Sequence, residues 1–487
     1  MSHRYLSTQL RRDLETAIKE AREIAENGAA EAIRRLGVAD GKAPNYLNDA
    51  EKNLRRRLRA YARTLGDAFD KASDRQDVKR LNEAAAYAHW HRMLFARFLA
   101  ERGLLRHPTH NVPISLEDCR ELAEKEGLPD GWAAAERYAA AMLPAVFRID
   151  DPVLALDLDA AQTQALVRLV TGLDAETFQA EDSLGWTYQF WRTAEKDAIN
   201  KSGVKIGAAE LPAVTQLFTE PYMVRFLLHN TLGAWWGGKI LAADPTLAEN
   251  APDEDAVRAA CSVPGYSFDM LRFVKDNSGG QSARWRPAAG AFPGWPQEAK
   301  SITMLDPCCG SGHFLTEALA IFAALRRAEE ELSPSDAVVA VLRDNLHGLE
   351  IDGRCVQIAA FAVAVTAWRI GGWQVLPLPH IAWVGAPPPL PKREFAALAE
   401  GDPELEYALT ALHDMFMQAP LLGSLLEPSG GTCAARVFGY GKDTENPETP
   451  SIDYIGKVAL ESTAEGLPRV CRPKPRDANK MPRKAAS

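Results

Sequence analysis

Long hydrophobic runs are missing from this chain. No window approaches the ~18 uninterrupted apolar residues of a spanning helix, so no transmembrane segment is expected. The first residues, MSHRYLSTQLRRDLE, lack the apolar core of a signal peptide, and none is expected there. Cysteine is sparse: seven in all, with no Cys-x-x-Cys pair and no Cys/His spacing suited to a metal. Cys308 and Cys309 are adjacent and cannot easily bridge each other, which fits a reducing cytoplasm. A basic surplus is absent too. Lys and Arg number 56 against 65 Asp and Glu, a net charge of −9, so bulk electrostatics lends no support to nucleic-acid binding. Any DNA contact would have to come from local basic patches. The remainder is ordinary, with 46% apolar and 25% charged residues, enough for real cores. At 487 residues the chain exceeds what one core usually supports, and two or three domains are expected.

Residues 5–105 read as helices throughout. Leu10, Leu14, Ile18 and Ile24 begin one apolar stripe, and Leu54, Leu58, Tyr61 and Leu65 another. The second carries Arg55, Arg56, Arg57, Arg59 and Arg63 on its other faces, a solvated basic surface with phosphate contact as the alternative. Ala86–Leu105 is a strong amphipathic helix, where His89 and His91 face different sides and suit packing or surface better than a metal. Helical patterns resume after the Gly127–Gly131 turn and run to Val170, and Leu184–Asp197 carries aromatics at helical spacing. In Thr215–Trp236, Thr219 before Glu220 and Pro221 signals a helix start, a capping hydroxyl with proline in the first turn. Met223, Phe226, Leu227 and Leu232 then form the apolar face, with Gly233 as the stop. Residues 243–300 hold Asp, Pro, Gly and Ser clusters with little periodicity and read as loops, with a short helix at Asp255–Cys261.

The stretch that organises the chain is Leu305–Leu315, LDPCCGSGHFL. Ile302, Met304 and Leu305 before it have strand length; Phe314, Leu315, Ala318, Leu319, Phe322 and Leu325 after it recur at helical spacing. A strand, a glycine turn and an amphipathic helix open an α/β nucleotide-binding unit. Gly310 and Gly312 let the backbone adopt φ > 0 and lie against a ligand. The turn's N–H groups and the positive end of the helix would face that ligand, and Asp306 can accept a hydrogen bond from a cationic amine. Further on, Ser333-Pro334 starts a short helix ending by Asp344, and Leu346–Ile351 reads as a second strand. Glu350 stands at its carboxyl end, where a doubly wound sheet places the acid that holds ribose hydroxyls. The buried helix Arg354–Arg369 follows, ended by Gly371-Gly372, and His380–Gly385 offers a third strand. Leu405, Leu409, Leu412 and Phe416 mark one last helix.

DPCCGSGHFL resembles the first motif of S-adenosylmethionine-dependent N6-adenine DNA methyltransferases, DPxCGSGxFL, at every fixed position. GLEIDGRCVQIA resembles their second motif, G-x-E-I-D-x-x-x-V-x-I-A. Glu350 lies farther from Gly310 than the ~20 residues usual in a dinucleotide unit, and the Ser333–Asp344 helix, an insertion the large methylases share, accounts for the difference. Leu184–Trp191 is similar to the LGxxYQxW helix of these enzymes. The Phe218-Thr219 stretch is similar to their FTPxxVxxF motif, which lines the methionine end of the cofactor. The resemblance covers Ala86–Leu105, Leu184–Trp236 and Ser301–Pro428. It implies an S-adenosylmethionine site made of Phe218, Thr219, Asp306, Pro307, Gly310, Gly312, Phe314, Glu350 and Ile351, no metal, and double-stranded DNA as substrate.

One part of that pattern is not there. These enzymes hold the flipped adenine's amine with an (N/D/S)PP(Y/F) loop. Gly385-Ala-Pro-Pro-Pro389 lacks the leading polar residue and the aromatic, and Asn446-Pro447-Glu448 stops after one proline. The catalytic residues are therefore unknown. Three accounts stay open: an N-terminal piece of a larger methylase, a subunit whose partner polypeptide supplies the catalytic loop and target recognition, and a non-catalytic cofactor-binding or structural fragment. The change of character after Pro428 favours truncation. A dinucleotide-binding enzyme is the alternative from another class. The fold expected is α/β, a helical N-terminal region followed by an incomplete doubly wound Rossmann-like domain. By residue, 1–170 is all-helical and 171–242 is a helical segment packing on the cofactor domain. Residues 243–300 form a loop-rich insertion, 301–428 the partial methyltransferase core, and 429–487 a basic, disorder-like tail.

Overall fold

The computed structural model describes residues 5–148, 151–203, 205, 219–276, 283–385, 388 and 391–422. Phe218, Pro387, Pro389, the Asn446-Pro447-Glu448 segment and the expected tail at 429–487 lie outside the described residues. The chain falls into two compact units, Met1–Gly348 with Arg354–Ile381, and Leu349–Gly353 with Ala382–Ser487. No described helix is long and apolar enough to cross a membrane.

The first unit begins as a stack of helices. α1 (Thr8–Arg35) starts where Ser7 accepts a hydrogen bond from the Leu10 N–H, and it buries Leu14, Ala17, Ile18, Ala21 and Ala25 at three- and four-residue spacing. Those alanines leave room for α3 (Lys79–Glu101), whose Trp90, Leu94 and Phe98 are wholly buried. Between them α2 (Asp49–Thr64) opens on a capping box formed by Asn48 and Glu51. Its arginines do not form the single solvated face read from the sequence. Arg55 and Arg59 are buried, and they donate to the carbonyls of Gly37 (2.9 Å) and Val38 (2.9 Å) respectively. The chain leaving α1 presents carbonyls that no helix satisfies, and leaving them unpaired would cost more than burying two guanidinium groups beside them. Arg56, Arg57 and Arg63 remain exposed.

Beyond α4 (Ser183–Ser202) the helix α5 (Pro221–Leu228) begins, with proline at its first turn as expected. Glu220 is its cap and makes no side-chain capping bond, so Thr219 stands one residue outside the capping position expected for it. Gly233 does not stop the helix. A π turn at His229–Gly233 carries it into α6 (Ala234–Ala243). A Cβ on Gly233 would come within 2.7 Å of the Phe268 ring, so the glycine permits close packing there and does not terminate the helix. The apolar face also differs from the expected one. Val224, Leu228 and Leu232 are buried, while Met223, Phe226 and Leu227 are exposed at 47%, 53% and 51%.

Residues 243–300 hold two short helices, Pro245–Asn250 and Glu254–Ala260, and an antiparallel hairpin of β1 (Phe273–Asp276) and β2 (Arg284–Pro287). Four-residue strands are too short for alternation to announce them. β3 (Met304–Asp306) then pairs in parallel with β4 (Leu346–Glu350), with Leu305 opposite His347. The crossover between them is α7 (His313–Glu330) and α8 (Pro334–Asp344). With β5 (His380–Trp383) the strand order is β3-β4-β5, a small sheet in a helix-rich α/β protein.

α9 (Gly353–Gly371) explains why its sequence is apolar on most sides. Ile358, Phe361, Ala362 and Val365 belong to the core of the N-terminal helices, whereas Ala359, Val363 and Ala367 belong to the core under the sheet. Phe361 stacks on Phe95 with centroids 4.6 Å apart. A helix wedged between two cores has no polar face to keep. The second unit has its own small cluster, in which Phe395 packs with Leu409, Leu412 and Phe416 of α10 (Pro403–Phe416).

Candidate functional site

In the first unit the chain leaves β3 at Asp306 and turns through Pro307 and Cys308 to the two glycines. The Cys308 N–H donates to Asp306 Oδ1 at 3.2 Å, and the Gly312 N–H donates to the Cys309 carbonyl at 2.8 Å. Gly310 has φ +53° and Gly312 φ +85°, both in the left-handed region. Their surroundings differ. A Cβ on Gly310 would meet nothing within 4 Å, whereas one on Gly312 would lie 3.0 Å from the Cα and Cβ of Ala359 on α9. The seat of the turn is equally close. A Cβ on Gly348 of β4 would reach Leu315 Cδ1 at 3.0 Å and Cys309 Sγ at 3.2 Å. Gly312 and Gly348 therefore let the turn pack, and Gly310 leaves one side of it open.

α7 starts directly at His313 with Gly312 as its cap, which makes no side-chain capping bond. Such an end attracts anions. Burial pushes the Asp306 carboxyl above its ordinary range, opposed by the Cys308 N–H. A cationic partner would reverse that shift, because the opposite charge favours the ionised carboxylate. Burial also lowers the His313 imidazole to about 4, so it is neutral near pH 7, with Nδ1 3.2 Å from Ser311 Oγ.

Next to the turn lies a cavity of about 550 Å³, lined by Tyr222, Met223, Phe226 and Leu227 of α5, by Met270 and Arg272, and by Phe314. Of the described residues expected from the sequence, only Phe314 lines it. The apolar spacing of the α5 side chains reads as core. The signal that separates them is that PYMVRFLL is apolar on two faces, and only one can be buried against the same neighbour.

In the second unit Glu350 is buried at the end of its strand and accepts the Asp352 N–H through Oε1 at 2.9 Å. Its carbonyl accepts the Val384 N–H at 2.8 Å, and the Ile351 carbonyl accepts Trp383 Nε1 at 2.9 Å. A Cβ on Gly385 would come within 2.2 Å of the Ile351 carbonyl oxygen. This corner is held tightly on its own terms. No group of His, Cys, Asp or Glu among the described residues could hold a metal ion.

No family model matches the chain. It is 31% identical over 219 residues to the adenine-specific methyltransferase BrxX of Escherichia coli O9:H4 (strain HS), an alignment covering 45% of this chain and 16% of that protein. It is 27% identical over 233 residues to the adenine-specific methyltransferase PglX of Lacticaseibacillus casei (strain Zhang), covering 47% of this chain and 18% of that protein. The match therefore spans less than a fifth of either relative's length. Among solved structures, the ATP-dependent Type ISP restriction-modification enzyme LlaBIII bound to DNA aligns at 15% identity and TM-score 0.31, over 76% of this chain and 17% of that one. A DrdV-DNA complex aligns at 13% identity and TM-score 0.31, over 78% and 26%. Both sequence relatives are adenine-specific methyltransferases, the class that the glycine motif resembles.

Proposed function

We propose that this chain, a relative of adenine-specific methyltransferases over nearly half its length, is an S-adenosylmethionine-binding portion of an adenine-N6 DNA methyltransferase of the restriction–modification or phage-exclusion kind. The observation that carries the reading is the open side of Gly310, in a turn between a strand-end carboxylate and a glycine-capped helix start, beside an apolar cavity. The residues present fit that cofactor. Asp306 suits the ammonium group, and the turn's N–H groups with the first turn of α7 suit the carboxylate. Phe314 and the exposed face of α5 supply apolar and aromatic wall for a sulfonium. Glu350, with Ile351 beside it, takes the ribose hydroxyls by its motif, in a doubly wound Rossmann-like arrangement. When bound, S-adenosylmethionine supplies an electrophilic methyl group; the chain's own residues hold and orient it.

DNA is the proposed substrate, with a partner polypeptide or a further part of the protein supplying the loop that grips adenine. A second reading, a cofactor-binding or structural piece without catalysis of its own, is favoured by Leu305. It is 55% exposed on β3, the edge strand of the described sheet. Titration calorimetry with S-adenosylmethionine tests the proposal: binding by the parent and its loss in Gly310→Asp are expected, and equal binding by both would overturn it.

A further inference from the structure

Two of the cavity's walls are not joined by any strand or helix. Met270 and Arg272 lie on an irregular segment, and three of its backbone groups are taken up by two neighbouring side chains of the π turn. The Met270 N–H donates to His229 Nδ1 at 3.1 Å. Asn230 Nδ2 donates to the Met270 carbonyl at 2.9 Å, and also to the Phe226 carbonyl at 2.8 Å. The Arg272 N–H donates to Asn230 Oδ1 at 3.1 Å. Asn230 thus pairs with this segment as an adjacent strand would, using both ends of its amide.

The other side of His229 reaches the glycine-turn helix. Because Nδ1 accepts from a backbone N–H, the ring proton sits on Nε2, which donates to the Tyr266 hydroxyl at 2.8 Å. Tyr266 in turn donates to Glu317 of α7, one turn after Phe314. Arg225 of α5 stands 3.6 Å from the same carboxylate. Burial lowers the imidazole to about 4, so it stays neutral and keeps Nδ1 as an acceptor. Both side chains stand at the start of the π turn that follows α5, and single π turns inside helices recur at functional sites.

We propose that His229 and Asn230 are positioning residues for the cavity, a clamp that holds the Met270–Arg272 wall against α5 and ties it through Tyr266 and Glu317 to the helix bearing Phe314. The clamp gives the cavity a fixed shape for its ligand. This rests on reading the cavity as part of the cofactor site, and the test separates the two.

The full chain is compared by hydrogen–deuterium exchange and by S-adenosylmethionine titration for Asn230→Ala, His229→Gln and His229→Asn. Asparagine keeps an acceptor near the Nδ1 position, and glutamine keeps only the Nε2 end. Exchange over residues 268–273 should rise about tenfold or more in Asn230→Ala and His229→Gln, with residues 313–325 unchanged as the folding control. The same two variants should bind the cofactor about tenfold more weakly, and His229→Asn, which keeps the Met270 acceptor, should restore the protection at 268–273. Unchanged exchange at 268–273 in both variants overturns the clamp. Raised exchange with unaltered affinity overturns its positioning role. A parent that binds no S-adenosylmethionine counts against the cofactor reading alone, and the exchange pattern then decides the clamp by itself.

Discussion

Gly312 touches Ala359 so closely that a methyl group on the glycine would lie 3.0 Å from both the Cα and the Cβ of the alanine. Ala359 sits on the helix shared between the two cores of the first unit, so this contact fixes the glycine turn to that unit's packing. Gly310, two residues earlier, has open space where its Cβ would be.

The two glycines should therefore fail differently. Gly312→Ala combines a left-handed backbone with overpacking, about 1–2 kcal/mol and ~1–3 kcal/mol respectively, so it should lower stability by ~2–5 kcal/mol in urea unfolding. Gly310→Asp should leave the circular dichroism spectrum and most of the stability intact while abolishing cofactor binding. Equal destabilisation by both would show that the distinction is wrong.

Replacing Glu350 by alanine removes a carboxylate acceptor. If the residue holds ribose hydroxyls, S-adenosylmethionine should bind ~1–3 kcal/mol more weakly. The Asp352 N–H would also lose its partner, so a urea titration must accompany the calorimetry. Parent-like affinity in a folded variant would reduce Glu350 to a strand-end residue.

Arg59 serves the interior. Removing it orphans the Val38 carbonyl, and Arg59→Ala should cost ~1–3 kcal/mol of stability without changing retention on a DNA column. Arg56→Ala and Arg57→Ala, at exposed positions, should change stability by less than about 0.5 kcal/mol. The reverse order of effects would restore the basic-face reading for Arg59.

Acid should destabilise the fold. Burial lowers His91 to about 3 and His229 to about 4, both below the ordinary 6.5, so the unfolded chain binds more protons between these values and stability falls as pH drops through that window. Each group contributes up to about 1.4 kcal/mol per pH unit. Glu136 acts in the opposite sense, because burial raises it to about 7 and its contribution is lost as pH rises from 4.5. With His89 and His313, each also lowered by burial to about 4, four histidines stand against one glutamate, and the denaturant midpoint should fall from pH 6.5 to pH 5. His91→Asn should flatten that slope. A midpoint that rises on acidification would contradict the burial of these rings.

Methyl transfer by the chain alone should be weak or absent. Cofactor binding provides the donor, but misplacing a reacting group by ~1 Å can cost ~10²-fold in rate, and the described residues include no loop to hold adenine. Tritiated-methyl transfer to mixed-sequence DNA, with and without cell extract, measures this. Robust incorporation by the purified chain would direct attention to Pro387–Pro389, which lie largely outside the described residues.

Much of the architecture was legible because it is local. The strand, glycine turn and helix at 304–330 and the last helix at Pro403–Phe416 carry their own period, and the Pro334–Asp344 helix its own start signal. So does the strand ending at Glu350, and each element appears where its residues put it.

What the sequence by itself determined is which residues share a helix face or end a strand, since backbone geometry and turn chemistry act over a few neighbours. Which face finds a partner was decided only by tertiary structure. Met223, Phe226 and Leu227 have the spacing of a core yet line a cavity, because Val224 and Leu228 take the one surface available for packing. Gly233 looks like a stop yet continues the helix, because Phe268, distant in sequence, needs the space its side chain would fill. Arg55 and Arg59 look like solvated charges yet are buried, because carbonyls leaving α1 need donors. In each case the deciding partner lies on another part of the chain, and no local pattern encodes where the fold will bring it.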